Sequence, residues 1–364
     1  TLIVAGDIFD TAVPTNKSLR LYYDFLSQLT SSECRHVVIV SGNHDSPTLL
    51  EAPKGILENF GVHVIGGAES PEDEVIELKD KAGNLEGVVC AVPFLRERDI
   101  LRLKDDSTLS RAEEIQLAVE NHYKSVVKAA IDRMGAKRVP LIATGHLFTV
   151  GSPKGEDVNE LYIGATGAVP VNIFPSEIDY VALGHIQRAY SIGGDKTRNY
   201  CGAPIPLTFE EANLEKLVRL VDFEPDEIKV ADIQVPKFDR LVSVQGSQTE
   251  ISTKLKELAG QDEKILVEVI HTGKANAINL TGEVSEQTSG TKIEVLRVFD
   301  ETKKANCLAN DGDEMEIGEL TWENVFEKKL KNETFEGEVS EEELWNAYRN
   351  AYFQISELAD VNAQ

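Results

Sequence analysis

Residues 2–10 read LIVAGDIFD, and this stretch decides the fold class. Its four leading apolar residues, with no polar alternation, are typical of a strand buried on both faces in a sheet that helices cover. A glycine and two aspartates follow at once, so carboxylates stand at the carboxyl end of the strand. In open α/β sheets that edge is where ligands bind.

The same sequence of strand, glycine and polar residue occurs three more times. It is found in HVVIVSGNHD at 36–45, PLIATGH at 140–146 and YVALGH at 180–185. Further apolar runs at 62–65 and 87–92 predict additional strands. The stretches 18–29 and 111–134 have apolar residues at intervals of three and four, which predicts helices. Together these elements predict a layered α/β domain.

The four junctions supply a set of candidate metal ligands. They are Asp7, Asn43, His146 and His185. Taken singly, each has an ordinary explanation: an aspartate after a strand is usually a helix N-cap or turn residue, and a lone histidine usually belongs to the core. The repetition of one pattern after four strands favours a metal site over four unrelated structural causes.

The residue types also indicate a metal class. A carboxylate, an amide oxygen and imidazoles, without thiolate, suit manganese, iron or zinc in a hydrolytic site. An aspartate such as Asp7 can bridge two ions about 3.5–4 Å apart, and such a pair activates water at a phosphoryl centre. His44 is the candidate for protonating the leaving oxygen. Asp45 could orient that imidazole or, equally, cap a helix.

The composition excludes several classes of protein. The 364 residues include 37 basic and 62 acidic side chains, for a formal charge of -25, which argues against a protein that coats DNA by itself. The 4 cysteines form no CxxC pair, so neither a zinc ribbon nor a disulfide framework is indicated. We expect a reducing cytoplasm. No uncharged apolar run is long enough to predict a membrane span.

Two further segments follow the first domain. Apolar runs at 241–244, 265–270 and 292–298, with helical patterns at 250–258 and 276–286, predict a small α/β unit. From residue 301 the chain is more acidic and has apolar residues at helical spacing. These tail helices could pack on their own core or dock on a partner, and the pattern alone leaves both open.

Several blocks of the sequence resemble a known superfamily. GDIFD at 6–10 and GNHD at 42–45 are similar to signature blocks of the calcineurin-like metallophosphoesterases. PFLRERD at 93–99, IATGHL at 142–147 and YCGAPIPLTFE at 200–210 narrow the resemblance to the SbcD family, the nuclease subunits of bacterial SbcCD complexes and counterparts of Mre-type repair nucleases. The resemblance covers nearly the whole chain and is strongest over 1–215.

The resemblance implies an architecture. Residues 1–215 would form a layered metallophosphoesterase β-sandwich flanked by helices. Residues 216–300 would form a small α/β capping domain that shapes a DNA channel. Residues 301–364 would be C-terminal helices that dock on an SbcC-type ATPase. A heterotetramer with SbcC, a homodimer through the nuclease domain and a bacterial cytoplasmic, nucleoid-associated location are also expected.

The resemblance also implies residue roles and an activity. Asp7 would bridge two divalent metals, most often Mn²⁺, while Asn43, His146 and His185 would serve mainly the second one. His44 would be the catalytic histidine. The expected activity is cleavage of double-stranded DNA from the 3' side and endonuclease cutting of single strands and hairpins, gated by ATP on the partner.

The chain departs from the family pattern in two places. An Asp-x-His block expected before the first strand is absent, so the sequence reads as starting inside a domain. Gln187 stands where the family has a second imidazole, after Gly184-His185-Ile186. We therefore expect one tightly bound metal and an impaired nuclease. The alternatives are a catalytically silent scaffold that binds SbcC, and a small-molecule phosphoesterase.

Two arginines lie close to the predicted site. Arg96 and Arg98 could contact phosphate or pair with neighbouring acids, and the acidity of the chain favours ion pairs.

Overall fold

The structure is a computed structural model that describes residues 1–68, 70–101, 109–150, 169–273 and 279–301. The tail helices predicted beyond residue 301, and the docking role given to them, lie outside these residues.

Two compact units divide the chain. The first comprises Thr1–Ser243, Gln261–Glu268 and Lys292–Glu294. The second comprises Val244–Gly260, Val269–Thr291 and the chain from Val295 onward. The domain limits predicted at residues 215 and 300 stay predictions.

A small parallel sheet opens the first unit. Its strands are β1 (Leu2–Ala5), β2 (Val37–Val40) and β3 (Val62–Ile65), in that spatial order. The central strand β2 pairs in parallel with both neighbours, and its Ile39, for example, lies opposite Val4 of β1 and Val64 of β3. All three carboxyl ends therefore lie at one edge.

A larger sheet of six strands forms the second layer. Its strands are β4 (Val75–Lys79), β5 (Leu85–Cys90), β6 (Leu141–His146), β9 (Tyr180–Gly184), β10 (Tyr190–Ser191) and β11 (Arg198–Tyr200). Their order is β10-β11-β9-β6-β5-β4. The four central strands are parallel, and the two edge strands are antiparallel to their neighbours. The short strands β7 (Thr149–Val150) and β8 (Val169–Pro170) pair with each other.

Helices cover the outer faces. They are α1 (Asn16–Thr30), α2 (Pro47–Glu51), α3 (Lys54–Leu57), α4 (Glu97–Ile100) and α5 (Arg111–Met134). The side chain of Thr15 caps α1, and Ser110 forms a capping box with Glu113 at the start of α5. These polar caps fix the helix starts within a few residues of the predicted positions.

Alternate strand residues divide between two cores. Val37 and Ile39 of β2 pack in the cluster that contains Leu26 of α1, whereas Val38 and Val40 pack against apolar residues of the six-stranded sheet. The opposite face of that sheet packs against α5. The period-2 alternation of side chains thus yields four layers, helix, sheet, sheet and helix. The predicted layered α/β fold is confirmed.

The remaining elements follow the six-stranded sheet along the chain. They are the hairpin β12 (Leu217–Phe223) and β13 (Ile228–Gln234), the sheet strands β14 (Arg240–Gly246), β15 (Ile265–His271) and β16 (Ile293–Asp300), and the helices α6 (Gln248–Ala259) and α7 (Leu280–Thr288).

The hairpin was not predicted from the sequence, and one helix was misplaced. The residues of β12 alternate between half-buried and exposed, and most of β13 is exposed, a pattern that differs from the continuous apolar runs taken as strands. The helix predicted at 276–286 begins at Leu280, after Asn279 in the left-handed conformation with φ 51°, and extends to Thr288. Residues 274–278, where its predicted start lies, are outside the described part.

Across the described ranges, none of the helices combines the length and the apolar character that crossing a bilayer requires.

The layered core makes a prediction about stability. Leu141, 1% exposed, lies between the six-stranded sheet and α5, so we expect Leu141→Ala to lower the free energy of unfolding by about 2–5 kcal/mol through lost burial and a cavity. Leu117 on α5 is 45% exposed, and Leu117→Ala is the matched control, expected to cost under about 1 kcal/mol. Urea titration followed by circular dichroism measures both. Equal losses in the two variants would contradict this packing.

Candidate metal centre

The four predicted ligands come together where the two sheets meet. Asp7 follows β1 and Asn43 follows β2, so both emerge from the three-stranded sheet. His146 ends β6 and His185 follows β9, so both emerge from the six-stranded sheet. One ligand atom from each of Asp7, His146 and His185 lies within 4.8 Å of the others.

Close approach of the two sheets is possible because glycines line the contact. A Cβ on Gly6 would overlap the ring of His146, and a Cβ on Gly184 would overlap the carbonyl oxygen of Ala5. Gly6 also has φ 91°, a conformation that a side chain disfavours. The glycines of the strand–glycine–polar pattern are therefore required by space as well as by the turn.

His146 is the central residue of the group. Its ring is buried, and its Nδ1–H donates to the carbonyl of Ala5 at 2.8 Å, which fixes the tautomer. Its Nε2 then faces Oδ2 of Asp7 at 3.1 Å and Oδ1 of Asn43 at 3.0 Å. Phe94 contacts the same ring edge-on, with centroids 6.1 Å apart. The imidazole is held from both sides.

His185 completes the group. Its Nδ1 lies 3.1 Å from Oδ1 of Asn43, and its ring meets that of His146 edge-on at 5.1 Å between centroids. Its backbone adopts φ 86°, and Asp7 likewise adopts φ 52°. Both conformations are unfavourable for residues with side chains, and such outliers concentrate at functional sites.

The surroundings of His185 and Asp7 keep these two side chains in protonation states that can bind a cation. Burial, reinforced by the charge of His146, lowers the pKa of His185 to about 4, so its imidazole is neutral at physiological pH. Burial by itself raises the pKa of Asp7, but the hydrogen bond and charge interaction with His146, together with the His44 amide, bring it below the ordinary value. Asp7 is thus a carboxylate.

The donor set fits a divalent metal. The Nδ1–H of His146 is used by the Ala5 carbonyl, so its Nε2 is the ring atom that faces the oxygens of Asp7 and Asn43, where a proton or a cation can link the three atoms. One carboxylate, one amide oxygen and two imidazoles form a ligand set that manganese, iron and zinc accept.

His44 lies beside this group and is positioned by two contacts. Its backbone N–H donates to Oδ1 of Asp7 at 3.1 Å, and its ring Nδ1–H donates to the carbonyl of Asp10 at 2.7 Å. The proton on Nδ1 leaves Nε2 as the ring atom available for proton exchange.

The expected roles of Asp45 are wrong on both counts. Its carboxylate does not orient His44, because it accepts instead from the backbone N–H groups of Ile8, Phe9 and Gly42 at 2.8–3.0 Å. Nor does it cap the following helix, since that cap is the side chain of Ser46. Asp45, which is 2% exposed, ties the loop after β1 to the loop after β2.

Gln187 has an exposed side chain two residues after His185. Its backbone carbonyl accepts from the N–H of Ala203 at 3.0 Å and from the ammonium of Lys216 at 3.3 Å. The loop that carries Gln187 is therefore anchored through its main chain.

Two tyrosines that support the site were not identified by the sequence analysis. The Tyr123 hydroxyl, which is fully buried, donates to the carbonyl of Thr144 at 2.9 Å, two residues before His146. The Tyr200 hydroxyl donates to the carbonyl of Leu147 at 2.6 Å, immediately after it. Tyr200 stands in the conspicuous YCGAPIPLTFE segment, but nothing local in the sequence points either hydroxyl toward His146.

The ion-pair expectation for the two arginines holds for one of them. Nε of Arg98 lies 3.5 Å from Oδ1 of Asp99. Arg96 instead donates to the backbone carbonyl of Asp45 at 3.1 Å.

Several known proteins are similar to this chain in sequence. A family model described as SbcD_C, type 5 capsule protein repressor C-terminal domain, matches residues 237–334. The chain is 31% identical over 333 residues to the SbcD subunit of the SbcCD nuclease of Escherichia coli strain K12, and the match covers 90% of this chain and 82% of that protein. The SbcD subunit of the Bacillus subtilis SbcCD nuclease is 27% identical over 361 residues, covering 94% and 85% of the two chains.

A third relative has higher identity over a shorter stretch. The SbcD subunit of the Rhodobacter capsulatus SbcCD nuclease is 36% identical over 231 residues, which is 61% of this chain and 56% of that protein. Since the match at 31% identity extends over most of both chains, the chain belongs to the SbcD family.

Proposed function

We propose that this chain is a nuclease subunit that hydrolyses phosphodiester bonds at the centre formed by Asp7, Asn43, His146 and His185. The observation that carries the proposal is the convergence of four donor atoms from four strand ends, with the His146 Nε2 facing two oxygens. The chain belongs to the SbcD family, whose members are named as nuclease subunits, and this supports the same assignment.

The four residues would hold a divalent metal, and Mn²⁺ is the ion that we propose. When bound, such an ion activates water and offsets charge on the phosphoryl group. Asp7 would contribute negative charge, and His146 and His185 would contribute imidazole nitrogens. The Ala5 carbonyl keeps a His146 proton on Nδ1, which leaves Nε2 as the nitrogen that would bind the ion.

We assign proton transfer to His44. The Asp10 carbonyl accepts the Nδ1–H of His44, so a second proton, carried on Nε2 in the imidazolium form, would pass to the leaving oxygen of a phosphodiester. The link from the His44 backbone to Asp7 sets the distance of the ring from the metal ligands. Asp45 acts indirectly, because it holds together the two loops that carry Asp7 and His44.

Removing the Asp7 charge tests the centre. We expect Asp7→Asn to weaken Mn²⁺ binding at least about tenfold, because the site loses its carboxylate ligand. Asp10→Asn is the matched control, since Asp10 contributes a backbone carbonyl to the site and its affinity should stay within about twofold of wild type. Isothermal titration calorimetry measures both. Equal Mn²⁺ affinity in wild type and Asp7→Asn would refute the assignment.

Gln187 bears on whether the chain binds a second metal ion. The resemblance places an imidazole at position 187, and the amide of Gln187 is a weaker ligand than imidazole. We propose that one metal binds tightly in this chain, that a second binds weakly and that the nuclease is impaired. The same residue supports a second candidate function, a catalytically silent scaffold subunit. A small-molecule phosphoesterase has no comparable support.

Restoring the imidazole separates these candidates. We expect Gln187→His to raise the number of tightly bound Mn²⁺ ions and to increase cleavage of a hairpin oligonucleotide by about tenfold or more, because position 187 would then supply an imidazole for a second ion, which would help to offset charge on the phosphoryl group. The Gln187→Ala control should do neither. Calorimetry counts the ions and a gel assay follows cleavage. Unchanged stoichiometry and cleavage in Gln187→His would favour the scaffold.

Partners follow from the family. The relatives are named as components of the SbcCD nuclease, and we propose that this chain likewise assembles with an SbcC-type ATPase, acts on DNA in the bacterial cytoplasm and forms a heterotetramer. ATP gating, 3' polarity and hairpin cutting belong to the same proposal. Residues 216–300 would cap the DNA channel, and residues 301–364 would contact the ATPase.

We also propose a homodimer through the nuclease domain. On α1, Leu21 is 71% exposed and Phe25 is 46% exposed, and the spacing of four residues places them on one face of the helix. Val13, just before α1, is 86% exposed. Large apolar side chains exposed on one face of a helix are typical of a surface that another chain covers.

A charge on this face should prevent association. We expect Phe25→Glu to weaken dimerisation at least about tenfold, because the carboxylate would be buried in an apolar contact. Phe238, 75% exposed, provides the matched control, and Phe238→Glu should leave the association constant within about twofold. Sedimentation equilibrium measures it. A wild-type chain that stays monomeric at every concentration would contradict the proposal.

A further inference from the structure

Arg96 occupies an unusual position for a cation in so acidic a chain. It lies in the segment 93–96, which runs beside the metal centre. The N–H of Phe94 donates to the carbonyl of Ser41 at 2.9 Å, one residue before the loop that carries Asn43. Leu95, 4% exposed, is anchored in the core against α5. The backbone on the amino side of Arg96 is therefore fixed.

The Arg96 side chain extends along the site. One N–H donates to the carbonyl of Asp45 at 3.1 Å, and the guanidinium carbon lies 5.8 Å from the centre of the Phe94 ring. That ring contacts His146. A single aromatic ring thus separates the guanidinium from a predicted metal ligand.

The charge of Arg96 has no carboxylate partner at ion-pair distance among the residues that the structure describes. Arg98, two residues further along the chain, is paired with Asp99, and Arg111 is paired with Glu97. Partial burial lowers the pKa of Arg96, yet a guanidinium stays charged at any physiological pH. Only one of its five N–H groups is used by the Asp45 carbonyl.

We propose that the Arg96 guanidinium binds a phosphate of the nucleic-acid strand adjacent to the phosphate that is hydrolysed at the metal centre. A planar fork of N–H donors matches phosphate oxygens, and half-burial beside Phe94 reduces the competing hydration. The Asp45 carbonyl holds the guanidinium in place before substrate arrives. Arg96 is thus a substrate-binding residue, and this role rests on the proposed nuclease function.

Two substitutions separate a phosphate contact from a bracing role. Arg96→Gln removes the charge but keeps an amide N–H for the Asp45 carbonyl, whereas Arg96→Lys keeps both the charge and a donor. If Arg96 only supports the Asp45 loop through its hydrogen bond, the two variants should behave alike. A phosphate contact predicts that they differ in the salt dependence of binding. Arg98→Gln, on a side chain 77% exposed, is the control for the same change in net charge.

The experiment is fluorescence anisotropy of a labelled single-stranded oligonucleotide with the full chain, over a series of salt concentrations. We expect Arg96→Gln to weaken binding about tenfold at low salt and to reduce the slope of log affinity against log salt by about 0.7. Arg96→Lys should keep the slope, and Arg98→Gln should match wild type. Similar losses should appear for unrelated sequences, because a phosphate contact does not read bases.

Three outcomes would overturn the proposal. They are a wild-type slope in Arg96→Gln, equal slopes and affinities in Arg96→Gln and Arg96→Lys, and no saturable binding by the wild-type chain. Cleavage by His146→Ala reports on the metal centre separately. If that variant keeps full activity while Arg96→Gln loses affinity, the proposed site of hydrolysis fails and the DNA contact survives.

Discussion

One hydrogen bond across the two sheets sets the geometry on which the candidate site depends. The Nδ1–H of His146, at the end of a strand of the large sheet, donates to the carbonyl of Ala5, at the end of the first strand of the small sheet. That contact requires the strand ends to approach with no side chain between them, and Gly6 and Gly184 provide the space. The same bond sets the tautomer of His146, so packing and chemistry are fixed together.

The net charge of the whole protein and the local charge at the metal centre have different consequences for binding nucleic acid. A formal charge of -25 opposes a long-range attraction to nucleic acid. Close to the centre the balance differs, because a metal held by Asp7, His146 and His185 would bring positive charge, and Arg96 adds a cation with no acidic partner at ion-pair distance in the described part of the chain. Net charge therefore excludes a protein that coats DNA but not an enzyme that engages a few phosphates.

Sequence-based prediction was most reliable where the signal was local. The strands and the capped helices α1 and α5 follow from short patterns along the chain, and the four candidate ligands were identified from the repeated strand–glycine–polar pattern. It was wrong for Asp45, whose proximity to His44 in sequence suggested contact in space, whereas its carboxylate satisfies backbone N–H groups of a loop 36 and 37 residues away. It also missed Tyr123 and Tyr200, because hydrogen bonds between distant segments have no periodic pattern.

By itself, the sequence determined the layered α/β class, the order of the strand–glycine–polar junctions and the chemical identity of the candidate ligands, because each of these depends on neighbouring residues along the chain. The resemblance to the SbcD family was likewise readable from blocks of a few residues. Only the tertiary structure decided that Asp7 and Asn43 from one sheet meet His146 and His185 from the other. The tertiary structure alone also showed that Asp45 joins the loops after β1 and β2 and that Arg96 lies beside the metal centre. Those contacts join segments that only the packing of the two sheets brings together.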